Sequence, residues 1–369
     1  MAALLNSTGV LYGNSTQQDT AAYDGFRNLI DNGDFRVDNK YDGAAQAIAS
    51  GASSTVLQGI DRWFAGAYNN VTVHGITAQR IAYNATGDTE TTSQYGLQLT
   101  CTNFQTGNIV CGQRIEGVDC VKYAGRTMTL SWTASSPTGG PSNYQWTVMY
   151  PTTKDTWLNG TSFAANKNFI AGTSYTGITT SPTRFSATFT MPIVANAQLG
   201  LEIQFTFLPT AVNQSFIITK VQLEPASVQS PFQAKPLSYE LLRCARFLPA
   251  WWGYYYNSAG TAVATTGMQQ IGIGVATGAT TASYQIPLKV PTRVPVIGVG
   301  STAAYPIAAN NSVGSSSAIT GIILSGSTVD NITFTQTSLI SGTYTLGNPL
   351  RLMMTSSLTQ KFWFYGAEL

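Results

Sequence analysis

The amino-acid sequence predicts an all-β protein: an N-terminal arm, a jelly-roll β-sandwich, a short helical joint and a C-terminal β-sandwich domain. Three observations carry this reading. Apolar and polar residues alternate with a period of two in several stretches, as antiparallel sheets with one wet face require. Turn residues separate these stretches at short intervals, the spacing of sandwiches and jelly rolls. Charged residues make up 10% of the chain, against about 25% in ordinary globular proteins, and Thr, Asn, Gln, Ser and strand-forming side chains take their place.

The same composition excludes several function classes. Lys and Arg total 19 and Asp and Glu 17, a net charge of +2, so nucleic-acid binding has no electrostatic basis. A single His rules out a multi-His metal site and an HExxH helix. With 43% hydrophobic residues, the low charge is not a signature of disorder. A length of 369 residues suits two modules or slightly more.

Residues 1–26 read as an arm. They have neither a basic start nor a sustained apolar core, so no secretion signal is expected, and no stretch of the chain approaches the roughly 18 apolar residues of a membrane span. Triplets such as Asn6-Ser7-Thr8 and Asn84-Ala85-Thr86 carry no weight as glycosylation signals in so Asn- and Thr-rich a chain.

Residues 27–235 hold the clearest strands. Tyr95, Leu97, Leu99 and Cys101 alternate with polar or small residues, as do Met128, Leu130 and Trp132. The same holds for Phe185, Ala187 and Phe189, and for Leu201, Ile203, Phe205 and Phe207. Pro137-Thr138-Gly139-Gly140, Ser181-Pro182 and Pro209 punctuate them. Cys101, Cys111, Cys120 and Cys244 match no CxxC or zinc-ribbon spacing and read as small core hydrophobes, with a disulfide as the alternative.

Residues 236–249 form the joint. From Leu237 to Leu248 a helix is expected, with Leu237, Leu241, Cys244 and Leu248 as one apolar stripe and Glu240 pairing with Arg243 on the polar side. That stripe could cap a β region or meet copies of itself around an axis. Pro249 stops the helix. Residues 250–369 are again β, with strands expected at Tyr284–Val290, Val294–Val299, Ile332–Thr335 and Phe362–Tyr365. This region is poor in bulky side chains, so a core shared between subunits is expected.

Three groups of motifs resemble the fibre and virion-appendage proteins of tailed bacteriophages. Gly9-Val10-Leu11-Tyr12-Gly13-Asn14-Ser15-Thr16-Gln17-Gln18-Asp19-Thr20-Ala21-Ala22 resembles the G-V-L-x-F-x-D-G-T-x-Q-x-T-A-A segment of fibre shafts, with Asn14-Ser15-Thr16 standing where Asp-Gly-Thr is usual. Asn28 to Phe35, Asp61-Arg62-Trp63, Gln113-Arg114-Ile115-Glu116, Val221-Gln222-Leu223-Glu224 and Ser230-Pro231-Phe232 are together similar to a jelly roll related to carbohydrate-binding modules. Glu240-Leu241-Leu242-Arg243-Cys244-Ala245-Arg246-Phe247 resembles the E-L-x-x-C-Q-R-Y-Y joint that follows this module, and Phe364 to Leu369 resembles its F-D-A-E-L ending.

The resemblance implies a homotrimer on a virion, assembled in the host bacterial cytoplasm and attached to other virion proteins through the arm. Its partner would be a host-surface glycan or receptor, with no nucleic acid and no membrane insertion. A head fibre or capsid decoration protein and a glycan depolymerase are the alternatives. In the carbohydrate-binding relatives, carboxylates near the first strand can hold a structural calcium. Asp31 and Asp34 are the candidates here, against a simple turn at Asn32-Gly33 with φ above zero, and no other cofactor is expected.

Catalytic signals are weak. Glu90, Glu116 and Asp119 could form a glycosidase pair only at a separation the sequence does not fix, and Asp61 reads with Arg62 as a tie between strand ends beside a buried Trp63. His74 sits in an alternating stretch and reads as structural. No G-x-S-x-G motif or internal repeat of a depolymerase β-helix is evident, so no catalytic residue is assigned. Aromatics are the stronger glycan candidates, since sugar C–H faces pack on them: Trp251, Trp252 and Tyr254 just after the joint, and Tyr144, Trp146 and Trp157 in the sandwich. Core packing or a subunit contact is the competing role for both sets.

Overall fold

The structure, a computed structural model, describes residues 4–6, 9–11, 17–18, 26–39, 41–48, 57–68, 75–83, 95–103, 108–137, 142–157, 167–173, 176–252, 254–256, 262–264, 269–294, 296, 298–301, 307–311, 316–339, 346, 349–354 and 361–365. The chain is all-β, and every paired strand runs antiparallel to its neighbour. In the arm, β1 (Leu4–Asn6), β2 (Gly9–Leu11) and β3 (Gln17–Gln18) form a small sheet of their own.

The sandwich begins with β4 (Gln46–Ile48), β5 (Leu57–Ile60), β6 (Trp63–Tyr68), β7 (Gly75–Ala82), β8 (Tyr95–Asn103) and β9 (Asn108–Ile115). After the single-turn helix α1 (Gly117–Cys120) come β10 (Thr127–Ser135), β11 (Ser142–Pro151), β12 (Lys167–Gly172), β13 (Thr176–Ile178) and β14 (Thr183–Thr190). A second short helix, α2 (Val194–Ala197), precedes β15 (Leu201–Leu208) and β16 (Ser215–Glu224). One sheet has the order β14-β10-β16-β8-β7-β4 and the other β12-β11-β15-β9-β6-β5, with β13 added on β11.

Alternation decides which side chains fill the space between the sheets. Met128, Leu130, Trp132 and Ala134 of β10 meet Leu201, Ile203, Phe205 and Phe207 of β15 in one buried cluster. Trp132 lies at its centre, 5.3 Å from Phe205, 5.9 Å from Phe185, 5.9 Å from Trp146 and 6.4 Å from Tyr144 between ring centroids. Cys101, Cys111 and Cys120 belong to the same core, and these three and Cys244 are buried free thiols, as small core hydrophobes should be.

The helical joint α3 (Leu237–Ala245) follows Pro236. Cys244, and Phe247 and Leu248 just past its end, are buried, but Leu237 is 48% and Leu242 49% exposed and the expected single buried stripe is not formed. The Glu240–Arg243 pair also gives way to other contacts. Glu240 turns inward to the backbone N–H of Asn32, and Arg243 bonds Asp31 and Asp119.

Beyond it run β17 (Ala250–Trp252), β18 (Tyr254–Tyr256), β19 (Ala262–Ala264), β20 (Gln269–Ala276), β21 (Ala282–Pro287) and β22 (Gly298–Ser301). The last strands are β23 (Ile307–Asn311), β24 (Ser316–Ser327), β25 (Asn331–Leu339), β26 (Pro349–Met354) and β27 (Lys361–Tyr365). Six of them close into a barrel, β20-β21-β25-β24-β23-β26, so the layers of this region are the opposite walls of one curved sheet. Beside it, β17 and β22 flank β27, and β18 pairs with β19. Tyr284 and Phe334, stacked at 5.4 Å, fill the barrel. A Cβ on Gly274 would stand 2.4 Å from the Tyr284 ring, so this wall is glycine because the aromatic needs the room. Two backbone bonds tie the joint to this region: Arg293 N–H donates to Arg246 C=O at 3.1 Å and Phe364 N–H to Pro249 C=O at 3.0 Å.

Replacing Trp132 by Ala removes the ring that four other aromatics touch and should destabilise the protein by about 3–5 kcal/mol in urea unfolding. A loss below about 1 kcal/mol would contradict the central position of this ring.

Candidate functional site

The motif segments, with bonded residues up to 212 positions apart in sequence, meet at the end of the sandwich where α3 docks. The first turn is built by Asn32, whose φ of 52° supplies the left-handed step. Its side-chain amide donates to Val37 C=O at 2.7 Å and Asp61 C=O at 3.0 Å, and its Oδ1 accepts Val37 N–H. Gly33 is required for a different reason: a Cβ there would lie 2.2 Å from Val221 O. Gln113 grips the neighbouring backbone from the core side, accepting Asp31 N–H at 2.8 Å and donating to Asp31 C=O at 2.7 Å.

These contacts aim the Asp31 carboxylate at three cations. Arg62 Nε lies at 3.1 Å, Lys235 Nζ at 3.2 Å and Arg243 Nε at 3.1 Å, and Asp31 itself is 1% exposed. Burial alone would raise its pKa, but Lys235, Arg62 and Arg243 outweigh it and hold the carboxyl well below its ordinary value of 3.8. Arg62, a non-glycine residue at φ 73°, is fixed by Arg114 C=O at 2.8 Å and by the Phe247 ring 3.5 Å beneath its guanidinium. Two further pairs hold α3: Arg243 to Asp119 at 2.8 Å, and Arg246 to both oxygens of Glu116 at 3.1 Å.

Glu240 completes the joint. Its Oε2 accepts Asn32 N–H at 2.8 Å. Burial pushes its pKa up to about 7, with the Asp31 and Asp34 carboxylates acting in the same direction and Lys235 and the Asn32 N–H opposing. Beyond β16, Ser230 N–H and Oγ bond the two Glu224 oxygens at 2.8 and 2.6 Å, and Gln222 accepts Gln233 N–H at 2.7 Å, which turns the chain toward the helix.

This arrangement corrects several expectations. Asp31 and Asp34 were candidates for calcium, but three cations of the chain itself occupy the position next to Asp31, and Arg36 pairs with Asp34. Among the described residues no group of three or more His, Cys, Asp or Glu is disposed to hold a metal ion. Glu116 and Asp119 face arginines of α3 rather than each other across a cleft, while Glu90 and His74 lie outside the described residues. Asp61, in the β5–β6 turn, accepts the N–H of Asn39 from the turn before β4 at 3.0 Å, and Trp63 is fully buried with its Nε1 donating to Asn32 C=O at 3.1 Å.

The aromatic candidates divide. Tyr144 is 2% exposed because it stands on the core side of β11, in register with Phe207 and 5.4 Å from Phe185. Trp157 is likewise 2% exposed, with the Arg114 guanidinium 6.0 Å from its ring. Neither presents a face to a ligand. Trp146 is half-buried against Trp132. Trp251 and Trp252 lie on β17 and Tyr254 on β18, and their side chains are outside the described residues.

One cluster escaped sequence reasoning. On the outer face of the second sheet, Glu202 accepts from Arg114 Nε at 2.8 Å and Lys167 Nζ at 2.6 Å, and Phe64 lies 4.7 Å from the Arg114 guanidinium. Burial lowers the Lys167 pKa, with Glu202 opposing. Phe169, on the same face of β12 as Lys167 and paired with Met149, is 64% exposed. Strand alternation puts Glu202 on the polar side, but only the register sets Arg114 opposite it.

No protein-family model and no curated protein matches the chain. Among solved structures, the enzymatically active domain of bacteriophage CBA120 tailspike protein 4 is similar over 54% of this chain and 22% of its own, at 13% identity and a TM-score of 0.32. The family 11 carbohydrate-binding module from Clostridium thermocellum, in complex with a mixed-linked tetrasaccharide, is similar over 48% of this chain and 98% of its own, at 8% identity and a TM-score of 0.29. The CBM22-1 xylan-binding domain from Paenibacillus barcinonensis Xyn10C is similar over 51% and 99%, at 10% identity and a TM-score of 0.27.

Replacing Asp31 by Asn leaves buried Arg62 and Lys235 without their carboxylate and Arg243 with Asp119 alone, and should cost about 3–5 kcal/mol in urea unfolding at neutral pH. Because the folded carboxyl titrates below its ordinary 3.8, its stabilisation is complete above that value and is lost as acid protonates it. Wild type should therefore lose stability below about pH 3.8, a step that the Asn variant lacks. Glu240 has the opposite sign. Its folded pKa of about 7 lies above the ordinary 4.5, so wild-type stability should fall as pH rises from 4.5 to 7. Glu240→Gln should match wild type at the acid end of that window and melt higher above pH 7. Identical pH profiles for the two would refute the buried-acid assignment.

Proposed function

We propose that this chain is a non-enzymatic structural protein of a tailed-bacteriophage virion, a tail-fibre-type appendage that attaches through its N-terminal arm. Its copies form a homotrimer, and its outward modules bind host-surface glycans. The observation that carries the reading is the joint. The segments that resemble fibre and virion-appendage proteins supply Asp31, Asn32, Arg62, Gln113, Glu116, Glu240, Arg243 and Arg246, and these residues bond in pairs across the end of the sandwich. A fixed joint between two β modules suits a protein that holds a binding surface away from its attachment point.

The glycan part rests on chemistry. Sugar rings present C–H faces to aromatics and hydroxyls to amides and alcohols. Trp251, Trp252 and Tyr254 follow the joint directly, and exposed Phe169 stands on a face that also carries Gln204 and Thr147. Weak sites of this kind gain strength from repetition in several copies.

Binding of the full-length protein to host cells and to purified host lipopolysaccharide or capsule tests this directly. The double variant Trp251→Ala/Trp252→Ala should bind at least tenfold more weakly while keeping the wild-type unfolding transition, and Phe169→Ala reports on the second surface. Binding unchanged in both variants would remove these surfaces from the proposal. Release of oligosaccharides during incubation would overturn the non-enzymatic assignment.

A further inference from the structure

The sandwich is entered and left at one end. Segment 26–36, which follows the arm, bonds segment 233–243, which leads into α3. Arg27 N–H donates to Gln233 Oε1 at 2.9 Å, and the Phe26 and Tyr239 ring centroids are 5.0 Å apart. Lys235 Nζ donates to Ile30 C=O at 2.7 Å, and Arg36 Nη2 donates to Lys235 C=O. Asn32 bonds Glu240, and Asp31 bonds both Lys235 and Arg243. Leu29 N–H donates to Leu223 C=O and Val221 N–H to Gly33 C=O, so the incoming segment lies antiparallel to the end of β16. Beyond α3, the bonds of Arg246 C=O with Arg293 and of Pro249 C=O with Phe364 carry the line into the C-terminal region. The sandwich strands run away from this end: β10 starts there at Thr127, beside Glu224, and reaches Ser135 roughly 30 Å further on.

We infer that the sandwich is a side branch, and that the contacts between these two segments bear any tension between the arm and the C-terminal region. A body held at one end carries no load that passes between two points at that end. Tension between Phe26 and α3 therefore acts first on the bonds that join them. Those of Lys235 and Arg243 are charge-assisted and share the Asp31 carboxylate, so they are loaded together. The backbone pairs of Leu29 and Gly33 with β16 would open one after another, as a zip does, once that cluster has gone. The core around Trp132 is strained last. A surface on the far part of the sandwich thus keeps its shape while the chain is pulled.

What the device is for rests on the arm as attachment point in the proposed function; the load path itself does not, and its test needs neither virion nor glycan. Optical-tweezers pulling on the full-length protein, with handles at the two ends of one chain, reads the path. Opening the sandwich releases roughly 700 Å of chain, so its step is recognised by length. Forced opening follows the rate at which the loaded contacts break. At constant force the step should come at least tenfold sooner in Arg243→Ala than in wild type. Ile203→Val, in the core between the sheets, should change it less than twofold. An Arg243→Ala step at the wild-type rate, or a core variant that hastens the step as much, overturns the path. A second variant tests the side branch without depending on Arg243. All four native cysteines are buried, so Arg27→Cys/Gln233→Cys can be bridged selectively by a short bismaleimide. The bridged protein should lose the long step. A folded double variant that cannot be bridged within one chain overturns the side branch.

Discussion

A carboxylate shut away from water among three cations constrains everything around it. Asp31 is held as an ion by Arg62, Lys235 and Arg243, and the buried Arg62 and Lys235 depend on it in turn, while the partly exposed Arg243 is shared with Asp119. The four residues come from the first turn, the β5–β6 turn, the segment before α3 and α3 itself. The N-terminal edge of the sandwich and the helix that leaves it are therefore tied to one another. Hydrophobic burial between the sheets supplies most of the folding free energy, but it is indifferent to where α3 lies. Direction comes from the charged cluster, because ion pairs and hydrogen bonds fix angles and apolar contacts do not.

The same cluster accounts for the reversed polarity of α3. Once Glu240 and Arg243 are drawn inward by Asn32 and Asp31, the geometry of a helix sends Leu242 to the other side. Glu240 adds a sensitivity of its own. Burial first, then the nearby Asp31 and Asp34 carboxylates, raise its pKa against the pull of Lys235, the opposite outcome to that of Asp31.

Much of the architecture was legible in the sequence because strand alternation is a local property. The sides of Leu97–Cys101, Met128–Trp132 and Leu201–Phe207 could be read without knowing their partners. The motif residues were legible as a set, and their order along the chain pointed to a joint. What stayed hidden was relational. Periodicity groups Leu237 with Leu241 but does not say whether that group meets the protein or the solvent. Tyr144 and Trp157 looked like platforms because aromatic chemistry is the same in a core and on a surface, and only the register with β15 turned Tyr144 inward. Likewise Arg114, Glu202 and Lys167 come from three strands whose adjacency is set by long-range pairing. The closing of six strands into a barrel depends on which edges meet, and composition carries no trace of that.

The pairing of β17 with β27 has a consequence for how such a chain changes over time. The first and last strands of the C-terminal region are hydrogen-bonded neighbours, from Ala250 opposite Trp363 to Trp252 opposite Lys361. The region enters and leaves through one clasp, which the β21–β23 connection also joins through β22 and Arg293, whereas the β20–β21 turn at 277–281 and the β24–β25 turn at 328–330 contribute no strand to it. Insertions or exchanges in those two turns remove no strand of the clasp and no bond of the joint. The region behaves as a replaceable cassette: a lineage could alter what its far end meets while keeping unchanged the machinery that carries it.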